Sequence, residues 1–269
     1  MIATLKEAVN NVKNSEMRHV VSVSGGKDSA ALAVYLNQKY PALPVEYVFC
    51  DTGCELPETY EYLEKLEALL GAEVKRLNVL DMLGIKKKAG RNPFDVVLKE
   101  YYGGFLPNQQ ARWCTRVLKI QPFEAYIGSD RAYSYIGIRA DEDREGYVGK
   151  KPPKLSEQPN IIPVYPLKDD GITLNDVKDI LEQAGLGLPD YYSWRTRSGC
   201  YFCFYQQIAE WQGLQENHPE LFEKAKSYEK EENGRKYTWS GARDLEAIEK
   251  MKHRRQLKSD GEGCAICHL

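Results

Sequence analysis

Residues 19–24, HVVSVS, form an apolar, β-branched run that passes through GGKDS into the helical pattern AALAVYLNQ. A strand that turns through two glycines straight into a helix is the first half of a βαβ unit. The helix is expected from about Asp28 to Gln38. The pattern then repeats. PVEYVFCD (44–51) reads as a second strand, and PETYEYLEKLEALLG (57–71) as a helix with apolar residues at three-to-four spacing. AEVKRLNV (72–79) is a third strand, ARWCTRVLKIQPFEAYIG (111–128) a helical passage interrupted by proline, and AYSYIGIRA (132–140) a fourth strand. Strands separated by helices of this length predict an α/β fold, a parallel twisted sheet with helices on both faces. IIPVYPL (161–167) adds an edge strand, because its prolines remove ladder donors.

Residues 141–160 are polar and rich in Pro and Gly, and read as a loop or seam. Two parts follow: residues 1–150 as a nucleotide-binding α/β domain, and residues 151–269 as a mainly helical C-terminal region carrying C-x-x-C pairs. Within the second part, TLNDVKDILEQAG (173–185) is a helix with Thr173 as N-cap and Gly185 at its end. No internal repeat or low-complexity tract interrupts the chain.

The 269 residues are 42% hydrophobic and 28% charged, enough apolar material for a core. Lys plus Arg is 37 against 39 for Asp plus Glu, a net charge of −2 that argues against a globally basic nucleic-acid binder. No run approaches the ~18 apolar residues of a membrane span, and the first residues lack a secretory apolar core. The expectation is a cytoplasmic protein with no membrane partner. Its seven cysteines then favour metal ligation or thiol chemistry over disulfides.

In SGGKDS, the backbone N–H groups of Ser24, Gly25 and Gly26 can approach an anion closely, since glycine presents no Cβ. The following helix adds its positive N-terminal end. Lys27 adds a mobile cation, expected in a solvent-filled cleft, and Ser29 a hydroxyl. The spacing fits neither the Walker pattern nor the dinucleotide pattern G-x-G-x-x-G. Its position at the carboxyl end of a parallel strand is where such folds bind ligands.

SGGKDS resembles the PP-loop of the adenine-nucleotide α-hydrolase-like superfamily, the N-type ATP pyrophosphatases. FCDTGCELPETYEYLEKL resembles the D-T-G-x-x-F-P-E-T segment of the phosphoadenosine-phosphosulfate (PAPS) reductase family, and YIGIRADEDR its G-I-R-x-x-E/D segment. IIPVYPLKDDGITLNDVKDIL and SGCYFC match later segments in order, so the resemblance spans roughly residues 18 to 205. It implies an adenine nucleotide, either ATP with Mg²⁺ or a sulfonucleotide (PAPS or adenylylsulfate). Ser24, Gly25, Gly26, Lys27, Asp28 and Ser29 would cradle its phosphates or sulfate. Asp51, Thr52 and Gly53 would lie beside the adenosine, with Gly137 and Arg139 at the same mouth. An ordinary surface ion pair is the alternative for Asp51 and Arg139. Catalytic roles fall to Lys27, Asp51 and Cys114.

Cys200 with Cys203 and Cys264 with Cys267 are two chelating pairs, suited to zinc or an iron–sulfur cluster. In the resembled family, Cys114 and the 200–203 pair occupy the positions of [4Fe–4S] ligands. Trp113 stands where cluster-containing reductases have a further cysteine, so Cys264 or Cys267 is expected to complete the set. Zinc is the alternative. An unligated Cys114 would act as a sulfur carrier if Arg112 and Arg116 lower its pKa. Cys50 reads as a core residue, and Cys54 as core or facing the cleft mouth. His218 starts a helix, and His268 belongs to the tail. The basic runs 85–91 and 250–260, the latter on a helix, are solvated faces or phosphate-backbone contacts.

A complete S-G-G-K-D-S favours ATP, cleaved to AMP and pyrophosphate so that sulfur can replace an activated oxygen, as in nucleic-acid thiolation or phosphorothioation. The expected partners are a nucleic-acid substrate and a sulfur donor. The runner-up is a thiol-dependent PAPS or adenylylsulfate reductase served by a thioredoxin-like protein. A third reading is a non-enzymatic nucleotide-binding module with structural zinc.

Overall fold

The computed structural model describes residues 2–12, 17–85, 91–142, 156–232, 235–241, 243–252 and 255–257. A short helix α1 (Leu5–Asn10) precedes β1 (Met17–Ser22), and the segment behind the two glycines becomes α2 (Lys27–Lys39). β2 (Val45–Cys50), α3 (Pro57–Leu70) and β3 (Val74–Leu77) follow. The proline-interrupted passage runs from a turn at Trp113–Thr115 through a π-helical stretch, Arg116–Ile120, into α4 (Gln121–Ile127). β4 (Arg131–Tyr135) and β5 (Ile161–Val164) complete the sheet.

All five strands are parallel, in the order β3-β2-β1-β4-β5. β5 stands at an edge, where Pro163 costs no ladder bond, and its carbonyl accepts the N–H of Ala3 at 3.2 Å. Alternate residues serve opposite faces, as the period of two requires. Val21, Phe49, Tyr133, Tyr135 and Val164 pack under α2, α3 and the helix α5 (Leu174–Gln183). Val20, Val48, Ala132 and Ile161 pack on the other face with Phe123 and Ile127 of α4. The expected sheet with helices on both faces is therefore present. Leu63 of α3 is fully buried, and its truncation to alanine should cost about 2–5 kcal/mol.

Thr173 caps α5 through reciprocal bonds with Asp176, and Gly185 follows its end at φ +72°. The expected boundaries hold because both caps are local chemistry.

A third core lies beyond the sheet. Phe94, Trp113, Phe202, Trp211 and Trp239 pack together with residues of α6 (Ile208–Asn217), α7 (Pro219–Tyr228) and α8 (Leu245–Glu249). Between α7 and α8 lies an antiparallel hairpin, β6 (Lys230–Glu232) and β7 (Arg235–Tyr237). His218 starts α7 as expected and reaches Glu58 at 2.8 Å. The helix expected over 250–260 is not seen among the described residues. α8 ends at Glu249, residues 250–252 and 255–257 carry no helix, and the rest of that run lies outside the described residues. No helix among the described residues is long and apolar enough to cross a membrane.

Candidate nucleotide and thiol site

β1 has β2 on one side and β4 on the other, so chains leaving these three strands open a crevice at their carboxyl ends. The loop at 24–29 leaves β1, residues 51–53 leave β2, and Gly137 and Arg139 follow β4. The residues named from the sequence for the nucleotide therefore gather at the carboxyl ends of the three inner strands.

The loop at 24–29 is internally tied. Ser29 Oγ accepts the N–H of Ser24 at 3.0 Å and lies 3.1 Å from Ser24 Oγ. Gly25 sits at φ +72°, with its Cα side closed by Thr59: a Cβ there would come 2.4 Å from Thr59 Cγ2. A second wall comes from far along the chain. Tyr191 donates its hydroxyl to the Gly25 carbonyl at 2.7 Å, and the Lys27 N–H donates to the Tyr192 hydroxyl at 3.3 Å. Ser198 Oγ lies 3.1 Å from Ser24 Oγ.

This wall corrects the reading of Lys27. The side chain is only 4% exposed, not in a solvent-filled cleft. Its ammonium lies 3.5 Å from Asp28 and 5.0 Å from the centre of the Tyr192 ring. The aromatic face and the carboxylate replace the water that the charge would otherwise need.

Arg139 is also buried, at 7% exposed, so it is not an ordinary surface ion pair. Its guanidinium reaches Asp28 at 2.7 Å, Asp141 at 2.9 Å and Glu142 at 2.9 Å. Burial, the largest single influence, opposes its charge, but the three carboxylates together, Asp28 foremost, outweigh it and hold the pKa above its ordinary value. Asp51 has different partners: its Oδ1 accepts the N–H of Gly53 at 2.8 Å and the hydroxyl of Tyr60 at 2.9 Å.

Thr52, just after β2, lies between Glu55 and the cysteines. Its Oγ lies 2.8 Å from Glu55 Oε1 and 3.3 Å from Cys200 Sγ. Glu55 is a buried acid with no role assigned from sequence, and Cys200 Sγ points at it from 3.8 Å. Burial, ahead of the neighbouring Asp51, raises the Glu55 pKa.

Cys114, Cys200 and Cys203 line one cavity of about 30 Å³, together with Thr52, Lys119 and the rings of Phe94, Phe202, Phe204 and Trp239. Cys203 N–H donates to the Cys200 carbonyl at 3.1 Å, which makes C-x-x-C a tight turn. Arg195 holds that turn through the carbonyls of Gly199 and Cys200, at 3.0 and 2.8 Å. Arg197 donates to Cys203 Sγ at 3.3 Å. Burial, then the nearby Cys203, pushes the Cys114 thiol up to about 11. The lowering by Arg112 and Arg116 does not occur: Arg112 stacks on Tyr205 and Arg116 pairs with Glu124 at 3.0 Å. Burial likewise raises Cys200.

The donor set fits a thiolate-held centre in its chemistry alone, since half-buried thiols beside Arg197 and Lys119 can lose their protons to a metal. Among the described residues, no three such side chains stand close enough to hold a metal ion. Cys264, Cys267 and His268 lie outside the described residues. Cys50 is a core residue as expected, buried with its Sγ 3.2 Å from the Lys119 carbonyl. Cys54 is core too, 1% exposed, its carbonyl accepting the N–H of Tyr201 at 2.9 Å. Sequence reading missed Glu55, Lys119, Tyr192 and Ser198. Only Ser198, beside the glycine of RSGC, carried a local signal.

A family model described as the phosphoadenosine phosphosulfate reductase domain matches residues 18–206. An uncharacterized protein of Methanocaldococcus jannaschii is 26% identical over 229 residues, covering 83% of this chain and 43% of its own length. An uncharacterized nin region protein of Escherichia phage lambda is 33% identical over 174 residues, covering 57% of this chain and 56% of its own. A tRNA-specific 2-thiouridylase MnmA of Lactobacillus delbrueckii subsp. bulgaricus is 29% identical over 198 residues, covering 65% and 50%. The chain spans about half the length of these relatives. Among solved structures, a PAPS reductase from Candida auris in phosphate complex matches with a TM-score of 0.49 at 14% identity, covering 74% of this chain and 88% of that one.

Proposed function

We propose that this chain, which belongs to the phosphoadenosine phosphosulfate reductase domain family, binds ATP at the loop 24–29 and cleaves it to AMP and pyrophosphate, activating an acceptor for sulfur transfer. The observation that carries this reading is the joining of a complete S-G-G-K-D-S loop to the cysteine segment, through Ser24 and Ser198 at 3.1 Å. The relationship to a tRNA-specific 2-thiouridylase supports a nucleic-acid acceptor.

In this mechanism an acceptor oxygen attacks the α-phosphorus of ATP. The new P–O bond forms as the bond to the β-phosphate breaks, and pyrophosphate leaves with the electron pair. Backbone N–H groups of Gly25 and Gly26 and the Lys27 ammonium neutralise that leaving charge, and Mg²⁺ would add to this when bound. Asp28 and Arg139 hold Lys27 and the loop in register. Asp51 and Gly53 shape the adenosine end. A sulfur donor then displaces AMP from the acceptor carbon or phosphorus, and the activated oxygen departs with AMP.

Cys114, Cys200 and Cys203, with Cys264 or Cys267, would hold a [4Fe–4S] cluster; zinc on the same thiols is the alternative. When bound, the cluster supplies a Lewis-acidic, redox-active iron beside the nucleotide. Thr52, Arg195 and Arg197 orient the thiols. Cys114 becomes the sulfur carrier if it is the unligated thiol, and its raised pKa then requires a proton acceptor or a nearby cation for activation.

The family assignment also favours a second reading, reduction of PAPS or adenylylsulfate to sulfite with thioredoxin-like thiols. Anaerobic protein given ATP and Mg²⁺, or sulfonucleotide and reduced thioredoxin, separates the two. AMP with equimolar pyrophosphate supports sulfur transfer; sulfite without ATP cleavage supports the reductase.

A further inference from the structure

The segment FLPNQQ (105–110) runs just before the Cys114 turn. It and residues 237–241 line a cleft of about 540 Å³, outside both the phosphate loop and the thiol cavity. That volume lies within the ~300–1,000 Å³ of typical small-molecule sites. The Phe105 ring, 40% exposed, and the Tyr237 ring form an edge-on pair with centroids 6.3 Å apart. Gln109 and Gln110 are exposed and line the same cleft. Phe204 and Trp239 line the cleft and also the thiol cavity, so the two share a wall.

This combination selects a ligand class. Exposed aromatic faces stack with any flat heterocycle. A primary amide presents one donor and one acceptor side, the pattern found on the edge of a nucleobase. Such edges are open only when a base is unpaired. With a net charge of −2, the chain has no global field to gather polyanions, so attraction must come from a built site.

We infer that this cleft binds an unpaired nucleobase of the acceptor strand and holds that strand beside the thiol cavity; the inference rests on the sulfur-transfer reading above. Phe105 supplies the stacking face, and Gln109 and Gln110 read the base edge.

The test is fluorescence anisotropy of the full-length protein with short labelled single-stranded RNA, single-stranded DNA and the matching duplex, without ATP. Single strands should bind at least about tenfold more tightly than duplex. Phe105→Ala, and separately the double change Gln109→Ala with Gln110→Ala, should each weaken that binding about tenfold, as loss of one stacked or read base does. All these side chains are exposed, so the variants should keep the wild-type circular dichroism. The RNA and DNA arms show which sugar the site accepts. Equal binding of single strands by wild type and both variants overturns the inference, as does a wild type that binds no single strand. AMP formation from ATP is measured in parallel. Phe105-dependent strand binding by a protein that forms no AMP overturns the sulfur-transfer reading and leaves the cleft assignment standing.

Discussion

The hydroxyl of Ser198 lies 3.1 Å from the hydroxyl of Ser24, across 174 residues of sequence. The segment that carries Cys200 is thereby bonded to the loop proposed to hold phosphate. The fit is tight because Gly26 has no side chain. A Cβ at Gly26 would lie 2.6 Å from Ser198 Oγ.

Gly26→Ala should therefore push the two segments apart. The expected cost is about 1–3 kcal/mol of stability, as for other overpacked sites, with loss of nucleotide affinity. Adding Ser198→Ala should recover part of that stability. Denaturant midpoints of the two singles and the double test this, and strict additivity of the changes would mean the residues do not meet.

Lys27→Ala should stop AMP formation in a protein that still folds. Asp28 keeps its Arg139 partner at 2.7 Å, so removing Lys27 does not strand a buried carboxylate. Loss of a charge-assisted phosphate contact should cost about 1.5–3 kcal/mol of nucleotide binding. Calorimetric titration with ATP and circular dichroism measure the two halves, and unchanged ATP affinity would remove Lys27 from the site.

Arg139 binds three carboxylates from a position only 7% exposed. Arg139→Ala leaves them facing one another without their cation, at an expected cost of about 3–5 kcal/mol. Arg139→Lys keeps the charge but not the planar fork, and should lose less stability while still weakening nucleotide binding. Urea unfolding of both variants ranks them. A loss below ~1 kcal/mol for Arg139→Ala would place it with ordinary surface pairs.

His19 gives the core a pH dependence. It is 1% exposed on β1, with Nδ1 2.7 Å from the Tyr135 hydroxyl. Burial lowers its pKa below the ordinary 6.5, against a weaker upward pull from Glu46. The unfolded chain then binds the extra proton more readily than the folded one. The stability linked to His19 is full above pH 6.5 and is lost as pH falls through the folded pKa. Thermal midpoints should decline over that window in the wild type and decline less in His19→Gln. Identical slopes would assign the acid sensitivity to other groups.

The sheet order was not spelled out by the sequence, but its ingredients were. Val20 and Val21 alternate between two faces, and prolines consign residues 161–164 to an edge. The turn from β1 into α2 was legible because the glycines and lysine of SGGKDS at a strand end are local chemistry. The cover over Lys27 was not, because Tyr192 and Ser198 reach it only through tertiary folding. Glu55 carries no local signal in GCELPE, and only the folded loop turns it inward onto Thr52 and towards Cys200. The raised Cys114 pKa was hidden for the same reason: sequence shows neighbouring arginines, and folding turns them to Tyr205 and Glu124. The clustering of Cys114 with the 200–203 pair came from family resemblance, and all three line one cavity.

The most direct measurement is phosphorus NMR of the products formed from ATP and Mg²⁺ by anaerobically purified protein, with wild type and Lys27→Ala side by side and acceptor nucleic acid and a sulfur donor present. The account predicts AMP and pyrophosphate in equal amounts from the wild type, neither from the variant, and sulfur recovered in the acceptor. ADP with orthophosphate, or intact ATP alongside sulfite release from a supplied sulfonucleotide, would contradict it.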